Sequence, residues 1–501
     1  MNRTHRRSPR LIPCLVMALL LSPGAGAQGA GSKEQARSLL APHGIERFQP
    51  LLVRALETWI DVEERYWNGD YKACKKQLDR LWRDFPPGHK AWGRSRSRVR
   101  EVFLGRYPCY YALRMLTTCV DWRLESSRRL PKPHRAVLAI ALVGKSRGTE
   151  PRNLDELVKG EGIEVEHELH ESLLADDHRI VRQSLRLFRE YVLAITEGRL
   201  AVDLEFVSLP DLVVEVATRA KPRRHAGIVP GGMKAVWSAI DEEVCTRVDW
   251  WWVLYPSHVP ERYEDFAKTE FITGGMGTGP DGSQPCFISN DLWLVRKPPH
   301  LGKGEYTDIE RRAYLPHWLQ HEFFHHLYRT WPTFGLEKKG HQWFDRSTWP
   351  KDFVGTYEPD YYHESVIKRL QTSATPPLHI GLRYDRPDAA TLAKIEISSI
   401  VGSYEHRPVQ NRWHRGRITR TKDAQGQTVL LWRNDAGKSW KLHPELGRGM
   451  LRTGKANPYY ESNPTHGRHF RLVLKRDASG DYVPTIEGFT FQGALYRRKT
   501  R

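Results

Sequence analysis

The stretch Trp318-Leu319-Gln320-His321-Glu322-Phe323-Phe324-His325-His326-Leu327 carries the densest chemistry in the 501-residue chain. Residues four apart lie on one face of an α-helix. His321 and His325 can therefore offer two imidazoles to a single zinc ion. Glu322 then lies beside the metal, where a carboxylate can take a proton from attacking water and pass it to a leaving amine. No charged residue interrupts 318–320 or 323–324, the pattern of a helix buried within a domain. His326 projects about 100° from His325 around the helix and reads as a packing side chain or a donor to a backbone carbonyl.

A third ligand close behind the pair is excluded. Position 328 is Tyr and position 331 is Trp, so the extended pattern HExxHxxGxxH is absent. Glu337, His341, Asp345, Asp352, Glu358, Asp360, His363 and Glu364 all lie within reach further along the chain. Residues 357–367 read as a helix start with Pro359 in its first turn. Glu358 and Asp360 have a structural role available there, because carboxylates stabilise helix N-termini. Glu364 lies inside that helix, one turn before Ile367, where an unpaired carboxylate near a packed face is costly. Glu364 is the favoured ligand, with His341 and Glu358 as the alternatives. Tyr361, Tyr362, His363 and His341 are candidate donors to an oxyanion.

The motif lies within residues 131 to about 385, where strand and helix patterns are mixed. Ala136 to Val143 is a continuous apolar run of strand length, and Leu200 to Leu209 alternates as a half-buried strand does. His178 to Ile195 and Met233 to Val244 have helical spacing. Val248 to Tyr255, containing Trp250, Trp251 and Trp252, and Cys286 to Val295 read as two more strands. At most two of the three tryptophans can face the same side. A helix over about Glu310 to Arg329 then carries the HExxH pair.

Residues 31–130 read as helical. Leu51, Leu52, Leu56, Ile60 and Tyr66 recur at helical spacing, Gly69-Asp70-Tyr71 turns the chain, and a second helix runs to Pro86-Pro87-Gly88. The pair resembles one tetratricopeptide-like hairpin without a second copy, and a further helix is expected over 110–125. The first 27 residues read as a secretory signal: Arg3, Arg6, Arg7 and Arg10, an apolar run from Leu11 to Leu21, and Ala25-Gly26-Ala27 at the exit. The expected location is secreted or periplasmic, with no integral membrane segment after cleavage.

Beyond about Ala390 the chain becomes short strands, Val401 to Glu405, Gly416 to Thr421, Thr428 to Trp432, Trp440 to Leu442, Phe470 to Leu474 and Thr485 to Tyr496, divided by turn signals, of which 434–437 and 477–481 are the clearest. This is an all-β accessory domain over 390–501, either a small barrel or a sandwich. Its Gly402-Ser403-Tyr404 opening and Gly493-Ala494-Leu495-Tyr496-Arg497 close resemble the lipocalin-like domains appended to some exported bacterial hydrolases. Of the five cysteines outside the signal, Cys245 and Cys286 form the expected disulfide, while Cys74, Cys109 and Cys119 lie in the helical region and leave one odd thiol.

Composition agrees with a multidomain α+β protein. Hydrophobic residues make up 40% and charged residues 27%, which excludes a disordered, collagen-like or coiled-coil chain. The net charge is +19, and removal of the signal's four arginines lowers it to +15. In an exported protein that charge reads as a surface property, with nucleic acid not expected as a partner.

Residues 131–385 resemble a zincin metallopeptidase domain, on the strength of the HExxH helix and the strands before it. The resemblance implies an upper sheet whose edge strand, here Cys286 to Val295, pairs with an extended peptide or protein substrate. A ligand glutamate on a second helix, 39 residues past His325, resembles the gluzincin arrangement. The resemblance therefore implies an exported zinc metallopeptidase, with His321, His325 and Glu364 on Zn2+ and Glu322 as general base. The rival reading is a non-catalytic exported binding scaffold with a degenerate zincin domain, against which the intact Glu322 counts. A further rival, an anionic-polymer binder driven by the basic charge, predicts salt-dependent binding.

Overall fold

The computed structural model describes residues 50–86, 109–125, 133–150, 161–198, 200–221, 225–230, 234–241, 250–256, 270–272, 286–289, 387–406, 414–453, 469–479, 481–491 and 494–499, together with residues 34, 89, 156, 159, 244, 248, 305, 307, 308, 311 and 312.

The N-terminal helices agree closely with the sequence pattern: α1 spans Pro50–Trp67, α2 Tyr71–Asp84 and α3 Tyr110–Glu125. Between α1 and α2 the chain reverses at Gly69, whose φ of +82° lies in the left-handed region that glycine enters without strain. Asp70 then caps α2 by accepting from the Ala73 amide at 3.3 Å. Helix α3 is buried almost all round, from Tyr110 through Val120. Its apolar run therefore packs on two sides, and its cysteine is a core residue.

Strand β1 spans His134–Glu150, and its surroundings account for the uninterrupted apolar run within it. Leu138, Ile140 and Leu142 point into a core built with α1, α2 and α3, while Ala139, Ala141 and Val143 point into a second core on the other face. A strand buried on both faces loses the polar alternation of a half-exposed one. It pairs in parallel with β3, Leu200–Lys221, on one side and with β5, Trp250–Tyr255, on the other. The remaining strands are β2, Ile163–Glu168, antiparallel to the far half of β1; β4, His225–Pro230; β6, Glu270–Ile272; and β7, Cys286–Ser289. The path across the sheet is β6-β4-β3-β1-β5-β7.

Short helices α4, Glu171–Leu174, and α5, Arg179–Ser184, lead into α6, Arg186–Ile195, on the α1–α3 side of the sheet. The single helix expected over His178 to Ile195 is thus divided, with Leu185 at the break. Helix α7, Lys234–Ala239, contributes Val236 to the opposite face. Strand β5 divides its side chains as its alternation requires. Trp252 and Leu254 face the helical core, and Val253 and Tyr255 face the other. The side chains of Trp250 and Trp251 lie outside the described residues.

The parallel β1–β3 ladder skips between Val143 and Lys145, where Pro210 interrupts β3. Proline has no N–H to donate to a ladder. Gly144 accommodates the kink, since a Cβ there would overlap the Pro210 carbonyl.

The C-terminal region is a closed eight-stranded antiparallel barrel, which decides between the two expected architectures. Its strands are β8, Gly402–His406; β9, His414–Lys422; β10, Thr428–Asn434; β11, Ser439–Glu445; β12, Met450–Thr453; β13, His469–Arg476; β14, Tyr482–Phe491; and β15, Ala494–Arg498. Each pairs with its sequence neighbour, and β15 closes on β8. The single strand expected over Thr485 to Tyr496 is two, and β12 has no counterpart among the expected strands. Helices α8, Ala389–Leu392, and α9, Ile397–Ile400, put Leu392 and Ile400 into the barrel core, and the link between them adds Ile395. Arg498 donates to the carbonyls of Ser399 and Val401, tying α9 to the last strand. The interior holds Tyr404, Trp432, Phe470 and Phe489, with Trp432 edge-on to the other three. Among the described residues no helix is long and apolar enough to cross a membrane.

Candidate metal centre

His321, Glu322, His325 and Glu364, with the alternatives His341 and Glu358 and the oxyanion candidates Tyr361, Tyr362 and His363, lie outside the described residues. Among the described residues no group of three or more His, Cys, Asp or Glu is placed to hold a metal ion. The structure does describe the approach to the motif from its N-terminal side.

Asp308, Arg311 and Arg312 are helical, and the Arg311 amide donates to the Thr307 carbonyl at 3.0 Å. Glu305, Asp308 and Arg312 each meet a distant residue. His170 Nε2 lies 3.0 Å from the Glu305 carboxylate, Asp308 receives Arg311 at 2.9 Å and faces Arg179 at 3.9 Å, and Arg312 Nε lies 2.8 Å from Glu63 on α1. Glu63 is only 8% exposed. A carboxylate removed from water needs partners, and Glu63 has them in Arg312 and in the Trp67 indole at 3.2 Å. The Arg186 guanidinium covers the face of that indole at 3.7 Å from the ring centroid. Burial draws the Arg186 pKa down, and the nearby Glu63 opposes the shift.

One turn along, a second, partly buried charge cluster joins α1, α3 and α6. Glu190 accepts from the Tyr66 hydroxyl at 2.6 Å and from Arg123 Nε at 2.7 Å. Burial and the Glu190 charge both push the Tyr66 phenol far above its ordinary range, so it stays a neutral donor. These residues stand 67 to 249 positions apart in the chain. No spacing rule joins partners that far separated. The amphipathic pattern placed each on a helix, and the only local signal was a charged residue on a face that is otherwise apolar.

Strand β7 stands at the end of the described sheet path and runs parallel to β5, with Cys286 opposite Trp252. The part of the expected edge strand from 290 to 295 and the expected disulfide partner Cys245 lie outside the described residues. Cys74, Cys109 and Cys119 are buried free thiols. Burial raises Cys74 to about 11 and Cys109 to about 12, and lifts Cys119 well above its usual value. None is a thiolate at neutral pH, and these three cysteines serve packing.

Compared with protein-family models, with curated proteins and with solved structures, the chain matches none.

Proposed function

We propose that the chain is an exported zinc-dependent metallopeptidase of gluzincin type. The observation that carries the reading is the pentapeptide His321-Glu322-Phe323-Phe324-His325. Two imidazoles and a carboxylate form a borderline nitrogen and oxygen donor set that suits zinc better than the hard cations. His321 and His325 would hold it, with Glu364 as third ligand.

The placement of Arg312 supports the reading. On the helix expected over 310–329, His321 is rotated from Arg312 by about 180° and His325 by about 220°. Arg312 is bound to α1 through Glu63. An unbroken helix through Pro316 would then present its histidines on the side turned away from α1.

Bound zinc supplies Lewis acidity, lowering the pKa of water and polarising a carbonyl. Glu322 takes a proton from the attacking water as its oxygen bonds to the peptide carbonyl carbon. The same carboxyl then delivers that proton to the amine as the C–N bond breaks, so both products leave with balanced protons. A substrate chain lying extended along the sheet edge at Cys286–Val295 would present its carbonyl in a fixed orientation.

The chain lacking residues 1–27 is expected to carry about one zinc per molecule and to cleave casein in a chelator-sensitive manner. Glu322→Gln should keep the metal and lose about a hundredfold or more in rate, the usual scale for a missing acid–base group. Zinc-free protein, or a mutant as active as the parent, defeats the proposal. Zinc bound without cleavage of casein or a peptide library points to the binding scaffold.

A further inference from the structure

The outer surface of the barrel carries cations on β15, β9, β10 and β11, with β8 between β15 and β9. Inward and outward positions alternate along each strand. Tyr404, Ile418, Trp432 and Leu430 face the core. The residues between them face outward. In one cross-strand row Arg497, Glu405 and Arg415 stand side by side on β15, β8 and β9. In the next, Ser403, Arg417 and Arg433 succeed one another across β8, β9 and β10, and the Lys499 amide bonds the Ser403 carbonyl at the row's start. Lys441 lies opposite Leu431 one row further on. Arg415, Arg417, Arg433, Lys441 and Lys499 are exposed.

Two acids enter these rows: Glu405 faces Arg415 at 3.8 Å, and Asp435 donates its amide to the Arg415 carbonyl at 2.8 Å and accepts from the Arg415 amide at 3.1 Å through its carboxylate. Arg417 and Arg433 are direct neighbours in the antiparallel ladder, with no acidic partner among the described residues. Like charges directly opposite each other weaken a sheet. Solubility alone is served as well by mixed signs. The arrangement maintains a repulsion that an external anion would relieve.

We propose that this face docks an acidic polysaccharide. The barrel is closed, so it offers no strand edge for a peptide to extend. The rows contain no Phe, Tyr or Trp on which a base could stack. Among the described residues the sole large apolar side chain that is exposed is Ile163, in β2, so nothing described on the barrel is available to insert into a membrane. An extended polyanion crossing β15 to β10 meets cations over about 14 Å at the usual strand spacing. Docking at this face is independent of the metallopeptidase reading and survives its failure.

The test uses the full mature chain with fluorescently labelled polygalacturonate, a carboxylated probe, and heparin, a sulfated one, across a salt series. At least one should bind saturably, with affinity falling as salt rises. Arg417→Glu/Arg433→Glu should weaken binding about tenfold or more and flatten the log–log salt dependence by about 1.5. Lys72→Glu/Lys76→Glu, which reverses two exposed charges on α2, should leave it unchanged. Arg417→Gln/Arg433→Gln should also weaken binding while keeping Tm at or above the parent's. The proposal is overturned if neither polysaccharide binds, or if both charge-reversed variants bind alike. Binding that is confined to phosphatidylglycerol vesicles or duplex DNA also overturns it.

Discussion

A Cβ on Gly416 would overlap the six-membered ring of Trp432 across the β9–β10 ladder. That missing atom lets Trp432, 1% exposed, lie flat against β9 and meet Phe489 and Tyr496 at 5.1 and 5.3 Å. Gly416→Ala must displace the ring or the strand, an overpacking expected to cost about 1–3 kcal/mol. It should be read as a drop in barrel Tm, accompanied by changed near-ultraviolet dichroism; an unchanged Tm would refute the packing argument. A different residue-scale constraint operates at His178. This residue has φ +47° and stacks on Phe206 at 4.3 Å, while Arg182 approaches the same ring at 4.5 Å. Burial is the main reason its pKa falls below the usual value; the Arg182 charge adds to the fall, while Asp176, Asp177 and a bond to the Leu173 backbone oppose it. The unfolded chain therefore takes up the proton first as pH drops. Stability from neutral His178 is complete above about pH 6.5 and is lost as pH falls below it toward the lowered pKa. His178→Asn, which tolerates the left-handed backbone, should flatten the Tm-versus-pH curve as pH falls below about 6.5. An unchanged slope would exclude His178 as its source.

At the scale of elements, the decisive junction joins α1 to Arg312. Arg312 is partly exposed and Glu63 nearly buried, so their pair is worth less than a fully buried one but more than a surface one. Arg312→Ala leaves Glu63 with the Trp67 indole as its remaining described hydrogen-bond partner, beside the Arg186 charge, at an expected cost of about 1–3 kcal/mol. Glu63→Gln/Arg312→Met removes both charges and should recover part of that loss, because a matched apolar replacement leaves no ion unpaired. Urea denaturation of the two variants separates these outcomes, and equal destabilisation would show that the pair is not coupled. The same junction explains an uneven legibility. Helices α1, α2 and α3 are legible within about a residue because their apolar spacing, the Asp70 cap and the Pro86-Pro87 stop are local signals. The break at Leu185 is not, since residues 178–195 keep helical spacing throughout. Strands β2 and β4 are hard to read for a related reason. Ile163–Glu168 alternates but contains only two apolar residues, Ile163 and Val165, and His225–Pro230 has no apolar alternation; both gain their order by pairing with long neighbours.

Across the whole molecule, one core runs from α1 through α3 and α6 to the inner face of the sheet. Residues far apart in the chain, such as Trp59, Tyr191 and Trp252, are fully buried in that shared interior. The barrel keeps a separate core of its own, to which α8 and α9 contribute. By itself the sequence determined the order of helical, mixed and all-β regions, the apolar run of strand length over 136–143, and the HExxH chemistry on which the proposed function rests. These are encoded in spacing along a few turns or strands, where geometry is set by neighbouring residues. Only the tertiary structure decided that the β region closes as a barrel, that Glu63 secures the approach to the motif, and that Arg417 faces Arg433. Register, closure and long-range ion pairs depend on which distant segments meet, and that is settled by packing the whole chain.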